Sequence, residues 1–500
     1  MHDASTLGII SAEADYVIVG SGAGGSAAAR VLARAGRSVI VVEEGPLVTR
    51  EMVGPVAFQS MKLLMRHAGQ TAALGHSAVP ILQARCVGGT TFVNSAIIWR
   101  LPDKVLARWH KDFGLADGLR AADLDAAYTT IEEEMSVRPV GDHIASLADI
   151  KMREGAEKAG IEHRAIRRSE SGCKGSGRCF HGCPNDAKQS TTINYLRRAI
   201  DDGAEVIANA RVERIVVEGG RAVAVTGRIG GSGPHARARF RVSAKRAVIV
   251  AASVVQTPTL LRKSGIGLES GQLGEHFTAH PGTSSVGFYP NVVQAWTGAA
   301  QGYEAFGLRD SLGVKFETIN VPPEIAASRM PGAGPRFAKL VERLPHIAVW
   351  AAAVRADGEG SVRPSWLMGG EIVRYSLTTG DVERLRTGLK KLAEMHFLAG
   401  ATEVLPGVYG LPDVITADQL NLFDSAPLDS RAYSVIATHL FGTCRAARDP
   451  AAGVVDENLK VHGVGGLYVM DSSVFPSNTG VNPQHSIMAI ATVAAQRLAA

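Results

Sequence analysis

Cysteine is scarce in this chain, five in 500 residues, so a framework of disulfides cannot be what stabilises it. Aromatic residues make up only 6%, and no apolar run approaches the ~20 residues needed to cross a bilayer. Charge of either sign is also modest. Lys and Arg number 53 against 48 Asp and Glu, a net +5, with no basic stripe of the kind that marks a nucleic-acid binder. The first fourteen residues lack a basic region followed by an apolar segment, so the expectation is a cytoplasmic enzyme without an integral membrane segment. What the chain has is apolar content (46%) sufficient for a large core and 55 glycines, an excess that points to tight turns and close backbone approaches to something bound. Its length suits two or three domains.

The glycines are organised. Asp15 to Gly20 reads as a short buried strand. Gly20-Ser21-Gly22-Ala23-Gly24-Gly25 follows, then a small-residue helix from Ser26 to Ala35, a second apolar strand from Ser38 to Val42, and the acid Glu43 with Glu44 beside it. This is the order strand, Gly-x-Gly-x-x-Gly, helix, strand, acid. In it Gly20 permits the turn, Gly22 lets backbone approach a pyrophosphate, and Gly25 lets helix and strand close up. The helix N-terminus presents free N–H groups and a positive dipole end to the phosphates. Glu43, 18 residues beyond Gly25, is placed to accept from ribose hydroxyls. A dinucleotide site follows, though the motif alone does not separate FAD from NAD.

Further along, strands are expected at 205–209, at 212–218 and 221–228 as a hairpin across Gly219-Gly220, at 247–251, and at 466–471 ending in Asp471. Thr257-Pro258 reads as a helix start. Elements of the nucleotide site are thus scattered over the whole chain, and residues 284–431 read as most of an inserted second domain.

With these motifs in view, the chain resembles the glucose-methanol-choline (GMC) family of FAD-dependent oxidoreductases. Five separated segments carry the likeness: Gly20 to Glu43; Ala84 to Asn94, with Gly88-Gly89-Thr90; Ala251-Ala252-Ser253 to Gly267; Leu273 to Pro281; and His439 to Cys444 continuing through Asp471 to Asn482-Pro483. The resemblance implies an α/β fold: a Rossmann-type FAD-binding domain (13–100, 187–283 and 432–500) carrying an inserted α+β substrate-binding domain (101–186 and 284–431) with an antiparallel sheet flanked by helices. It implies oxidation of an alcohol to an aldehyde or ketone, His439 as catalytic base, Asn482 as its polar partner, Val212 at the adenine, and Asp471 near the flavin. Cofactor contacts are expected at Gly20, Ser21, Gly22, Ala23, Gly25, Glu43, Glu44, Gly88, Gly89, Thr90, Asn94, Val212, Ala252, Asp471 and Pro483. Some members attach the flavin through a histidine just before the loop asparagine. Here that position is Val93, so the FAD is expected to be non-covalent.

The residue types suit the chemistry. A histidine accepts a hydroxyl proton near working pH, a neutral amide donates to the substrate oxygen, and flavin N5 takes the hydride. His276 and His280 read as structural or flavin-proximal, with Pro281 marking a turn, and His485 as a secondary candidate facing the same cavity. Cys86 and Cys444 read as small packing residues.

Three cysteines cluster in the loop 171–190 as Cys173-x5-Cys179-x3-Cys183. The stretch resembles the cluster-binding loop of certain flavin-dependent sugar dehydrogenases, which would make the three thiolates ligands of a [3Fe-4S] cluster. A zinc site completed by His181 and a thiol or disulfide loop are the alternatives.

The expected partners are a small hydrophobic or aromatic alcohol and an electron acceptor, which is oxygen, a quinone or a cytochrome. Segments 306–316, 347–354 and 56–83 are the candidate pocket walls, the last as either an apolar lid or a core helix. The competing reading is lyase or isomerase chemistry on the same scaffold without net redox.

Overall fold

The computed structural model describes residues 9–230, 238–365 and 370–500. The start of the N-terminal stretch, residues 1–8, lies outside these. In chain order, β1 (Ile9–Val19), α1 (Ala23–Arg34) and β2 (Val39–Val42) form the opening unit, with α2 (Ala57–Leu64), α3 (Asp103–Phe113) and α4 (Ala121–Glu134) after it. Then come β3 (Glu205–Ile207), β4 (Ala210–Glu218), β5 (Arg221–Ile229), β6 (Ala238–Val250), α5 (Ser253–Lys263) and β7 (Phe277–Phe288). β8 (Val314–Thr318), β9 (Ile347–Val354), α6 (Thr379–Leu398), β10 (Ile436–Phe441), β11 (Leu467–Val469) and α7 (Gln484–Ala499) complete the main elements.

The first sheet runs β3-β2-β1-β6-β5-β4, with β11 paired to β6. β1, β2, β3, β6 and β11 are mutually parallel, and the β4–β5 hairpin joins antiparallel. The parallel strands are apolar on both faces, with α1 and α7 in the same core, and Val17, Ile18, Val41, Val248 and Ile249 are fully buried. β1 starts six residues earlier than the sequence suggests. Ile9 to Ala14 pairs with Arg239 to Ala244, and a register slip at Asp15 separates this from the apolar stretch. The hairpin at Gly219-Gly220 forms as expected.

The second sheet is antiparallel throughout its named pairs, built on β7, the longest of its strands, which pairs with β9, β10 and the strands at Glu359–Pro364 and Glu403–Leu405. α6 packs on one face, burying Leu385, Leu389 and Leu392 against Val314, Trp350 and Ala352. The architecture is therefore the α/β fold with an antiparallel-sheet second domain.

Its seams differ from the expected boundaries. The 283/284 division falls inside β7. Residues 436–441, placed with the nucleotide half by sequence, are strand β10 of the second sheet. Helices α3 and α4, from the segment 101–186, bury Val105, Trp109, Leu124 and Ile131 in the first core. Long strands and buried helix faces pair with whichever surface is complementary, and sequence order does not reveal that.

Two proline positions also differ. Pro258 does not start a helix but sits inside α5, where it leaves the Val254 carbonyl without its usual i+4 donor. The Thr443 hydroxyl donates to that carbonyl at 2.6 Å. Pro281 is not in a turn. It lies within β7 at a register shift, one of the places in a sheet that tolerate a missing N–H.

Candidate active site

A cavity of about 670 Å3 opens between the two sheets. One end is the opening unit of the first domain. Gly20, Gly22, Ala23 and Gly24 line it, with no side-chain cap and no acidic residue in the first turn of α1, so the helix N–H groups face the space. The glycines have separable reasons. A Cβ on Gly25 would lie 2.0 Å from the Gly20 carbonyl, and one on Gly24 would lie 1.7 Å from the Met470 carbonyl; both are forced by packing. A Cβ on Gly22 would meet no protein atom within 4 Å. Its absence keeps cavity space free beside a helix N-terminus, which fits a bound pyrophosphate.

Glu43 closes this end. Its carboxylate accepts from the Ser21 hydroxyl (2.7 Å), the Ser21 N–H (3.0 Å) and the Gly45 N–H (2.8 Å), while burial pushes its pKa up. The Ser21 hydroxyl also accepts from the Gly88 N–H at 2.9 Å, tying the two glycine motifs together. Glu44 lines the cavity against Arg66 (2.7 Å); burial opposes its ionisation, but Arg66 and Arg211 hold it below the usual carboxylate range. Val212, Ala252, Gly89, Thr90, Asn94, Asp471 and Pro483 line the same space, whereas Ser21, Gly25 and Gly88 stand behind it. Asp471 is committed to the start of α5, accepting from the Ser253 N–H (2.9 Å) and the Thr257 hydroxyl (2.6 Å).

At the other end, β10 and the turn before α7 bring His439 and Asn482 to the cavity wall. The β7–β10 register sets His280 directly opposite His439, with an Nδ1–Nδ1 distance of 3.1 Å and near-parallel rings. Burial pushes His439 down to about 4 and, with the His439 charge next in weight, holds His280 well below its ordinary value. Both rings are therefore neutral at ordinary pH, and one proton is shared between the two Nδ1 atoms. When that proton sits on His439, its Nε2 lone pair is the free one. Asn482 is buried, and its Oδ1 accepts from the Lys315 ammonium at 2.7 Å.

Lys315 has no signal in the sequence beyond a mixed segment. It comes from the second sheet and stands behind Asn482, while Gln301, just ahead of a strand of that sheet, lines the cavity and donates to Glu317 at 2.8 Å. Other expectations change. His485 points away, bonded to Glu132 (3.1 Å) and packed on Tyr128. His276 is held by Gln272 and Glu359 outside the cavity. Ile347 to Val354 is core strand, not pocket wall. The 56–83 segment contributes Met65, Leu82 and Gln83, while α2 is half-exposed, with Ala57, Ser60 and Leu64 buried.

Cys173, Cys179 and Cys183 line one small space of about 10 Å3, room for a single water. Two buried cations border it. Arg168 donates to Cys179 Sγ (3.1 Å) and to the Ser95 carbonyl, and Lys188, pushed down to about 8 by burial, donates to the Phe92, Asn94 and Cys179 carbonyls. Among the described residues, no three His, Cys, Asp or Glu side chains are grouped to hold a metal ion. This arrangement does not fit a three-iron cluster or a zinc completed by His181. The two cations instead brace the backbone at 92–95 that lines the cavity. Cys86 and Cys444 are buried, as packing residues would be.

Comparison with known proteins agrees with the geometry. Residues 14–282 match the N-terminal GMC oxidoreductase family model, and residues 369–491 match the C-terminal GMC oxidoreductase model. An uncharacterized GMC-type oxidoreductase of Mycobacterium tuberculosis is 37% identical over all of this chain and 78% of its own length. A long-chain-alcohol oxidase of Arabidopsis thaliana is 28% identical over 97% of this chain and 67% of its own. The solved structure of an Aspergillus oryzae formate oxidase, described for the modification of its FAD, superposes with a TM-score of 0.73 at 15% identity, covering 97% of this chain and 98% of that one.

Proposed function

The chain belongs to the GMC oxidoreductase family, and from that premise we propose that it oxidises an alcohol at its CH–OH carbon to an aldehyde or ketone, with His439 as base and Asn482 as oxygen anchor. The observation that carries this reading is the convergence on one cavity of a phosphate-ready helix terminus at one end and a neutral imidazole beside a carboxamide at the other.

FAD, when bound, supplies the acceptor for the hydride. The residues that would hold it are Gly22 to Gly24 and Glu43 at the dinucleotide end, Val212 and Ala252 along the first sheet, and Gly89, Thr90 and Asn94 on the braced loop. Val93 offers no imidazole for attachment, so the group is held without a covalent bond at that position.

His439 takes the hydroxyl proton on Nε2, while its Nδ1–H bond to His280 keeps the ring oriented before and after the transfer. Asn482 donates its amide N–H to the substrate oxygen, stabilising alkoxide character as the proton leaves. Met65, Leu82, Val93, Ile97, Phe180 and Leu440 are among the residues lining the cavity and give its wall a largely apolar character. A hydrophobic alcohol suits that lining better than a free sugar, and the similarity to long-chain-alcohol oxidases supports the same class.

Anaerobic mixing of the oxidised holoenzyme with 1-decanol, benzyl alcohol, cholesterol and glucose tests the reading. Bleaching of the flavin bands by 1-decanol or benzyl alcohol is expected, with reoxidation by oxygen or a quinone identifying the acceptor. A flavin that stays oxidised with every alcohol while one is cleaved or isomerised would replace oxidation by non-redox chemistry. His439→Ala should slow bleaching by roughly a hundredfold or more.

A further inference from the structure

We propose that Lys315 is a positioning residue for this reaction: it fixes the Asn482 amide with its N–H groups toward the cavity and sets a positive charge behind the substrate oxygen. This rests on the reading of Asn482 as the oxygen anchor and extends it to a residue of the other domain.

β8 alternates. Val314 and Phe316 enter the core of the second sheet, so Lys315 and Glu317 share the opposite face. The neighbouring strand places Glu304 directly across from Glu317. Two carboxylates opposite each other destabilise a strand pair unless a cation joins them. Lys315 does so, lying 3.1 Å from Glu304 and 2.5 Å from Glu317. Glu304 is further satisfied by Arg164 (2.7 Å) and the Trp99 indole N–H (2.8 Å), and Glu317 by Gln301. The charges Arg164, Lys315, Glu304 and Glu317 balance, so the cluster could be complete without reaching the cavity. Yet Lys315, with side-chain exposure of 1%, directs its remaining contact to Asn482 Oδ1 at 2.7 Å.

That contact decides which way the carboxamide faces. The oxygen and nitrogen of an asparagine are interchangeable in shape, and the hydrogen-bond partner selects between them. An ammonium only donates, so the atom it meets must be the oxygen. The Asn482 NH2 is then the end left for a ligand in the cavity. Holding that amide also polarises it: a cation one amide away strengthens the N–H donors just where negative charge develops on the substrate oxygen, in a site with little water to screen it. An apolar residue at 315 would remove both effects and leave two facing carboxylates. A buried ion cluster of this kind is weak evidence for stability by itself, which is why a role in orienting the site is the better account of a lysine here.

The test compares wild type, Lys315→Met, Lys315→Arg, Asn482→Ala and the Lys315→Met/Asn482→Ala double variant as holoenzymes. The limiting rate of anaerobic flavin reduction by 1-decanol should fall about tenfold or more in Lys315→Met, with the apparent affinity for 1-decanol changed less than about threefold, and Lys315→Arg should recover part of the loss. Because Lys315 acts through Asn482, adding Lys315→Met to Asn482→Ala should cost less than about twofold more. Decanoate, an anionic oxygen mimic, gives a readout without turnover. Its affinity, followed by flavin spectral titration, should drop about tenfold in Lys315→Met and show the same non-additivity. If Lys315→Met does not hold its fold, the charge-balanced Lys315→Met/Glu317→Gln carries the same comparisons. A Lys315→Met enzyme that reduces at the wild-type rate, or losses that add in full to Asn482→Ala, would overturn the proposal. Failure of wild type to be reduced by any alcohol would instead sink the proposed oxidation, and the decanoate titrations would still decide the role of Lys315.

Discussion

Replacing Gly22 with Ala separates a glycine kept for the fold from one kept for a ligand. The backbone at Gly22 is extended, with φ −66° and ψ −166°, so an alanine adopts it without strain. The added methyl meets no protein atom within 4 Å. The chain without cofactor should therefore be as stable as before, or gain the ~0.4–1 kcal/mol that a compatible Gly→Ala change brings by restricting the unfolded state. The methyl does, however, enter the space in front of the α1 N–H groups. Forcing one extra carbon into a filled site costs about 1–3 kcal/mol, which corresponds to FAD binding weakened about 5- to 150-fold. Gly24→Ala is the contrast. Its Cβ would lie 1.7 Å from the Met470 carbonyl, a backbone atom that cannot move aside, so that variant should lose stability with or without cofactor. The assays are thermal unfolding of the apoprotein and titration of the apoprotein with FAD followed by flavin fluorescence. A Gly22→Ala apoprotein that melts well below wild type, or one that binds FAD with undiminished affinity, would refute the assignment of this helix end to the phosphates.

Other consequences are equally direct. His439 must be neutral to act as base and is pushed down to about 4 by burial, so the limiting rate of flavin reduction should be flat between about pH 6 and 8 and fall as pH drops through about 4. The same depression means the unfolded chain, with histidine near 6.5, binds more protons than the folded one between about pH 6.5 and 4; stability should therefore decline as pH falls across that window, as pH-dependent melting can check. His280→Phe removes the Nδ1 partner of His439 and should slow flavin reduction roughly tenfold or more while leaving melting nearly unchanged; equal rates would show that His439 needs no orienting neighbour. Thr443→Val strands the Val254 carbonyl left open by Pro258 and should cost about 1–3 kcal/mol of stability in denaturant titrations, and adding Pro258→Ala, which restores the missing N–H, should return part of it.

The parts of the site that were legible in the sequence are those whose chemistry is local. The Gly20 to Gly25 turn, the helix after it and the acid after the next strand follow one another within about thirty residues, and each has a spacing dictated by the bound group. His439 and Asn482 were legible only through resemblance, since a histidine and an asparagine have no spacing that announces them. The turn expected at Pro281 is absent: proline is a turn signal by itself, and only the bulge in the β7–β10 ladder explains a proline there. The cysteine loop gave the opposite error. Its spacing suits a cluster, but the folded loop encloses a space for one water beside Arg168 and Lys188, whose positions no periodicity reveals.

The residues alone carry the nucleotide-binding unit, the hairpin across Gly219-Gly220 and the lack of an imidazole at position 93, because these depend on neighbours a few residues away and on which side chains exist at all. Tertiary structure alone decided that β10 leaves the nucleotide half to pair with β7, that His280 stands opposite His439, and that Lys315 reaches Asn482 across 167 positions of chain. Strand register and the meeting of two sheets are set by the simultaneous burial of many apolar faces. That is a property of the whole core, and no single stretch of residues carries it.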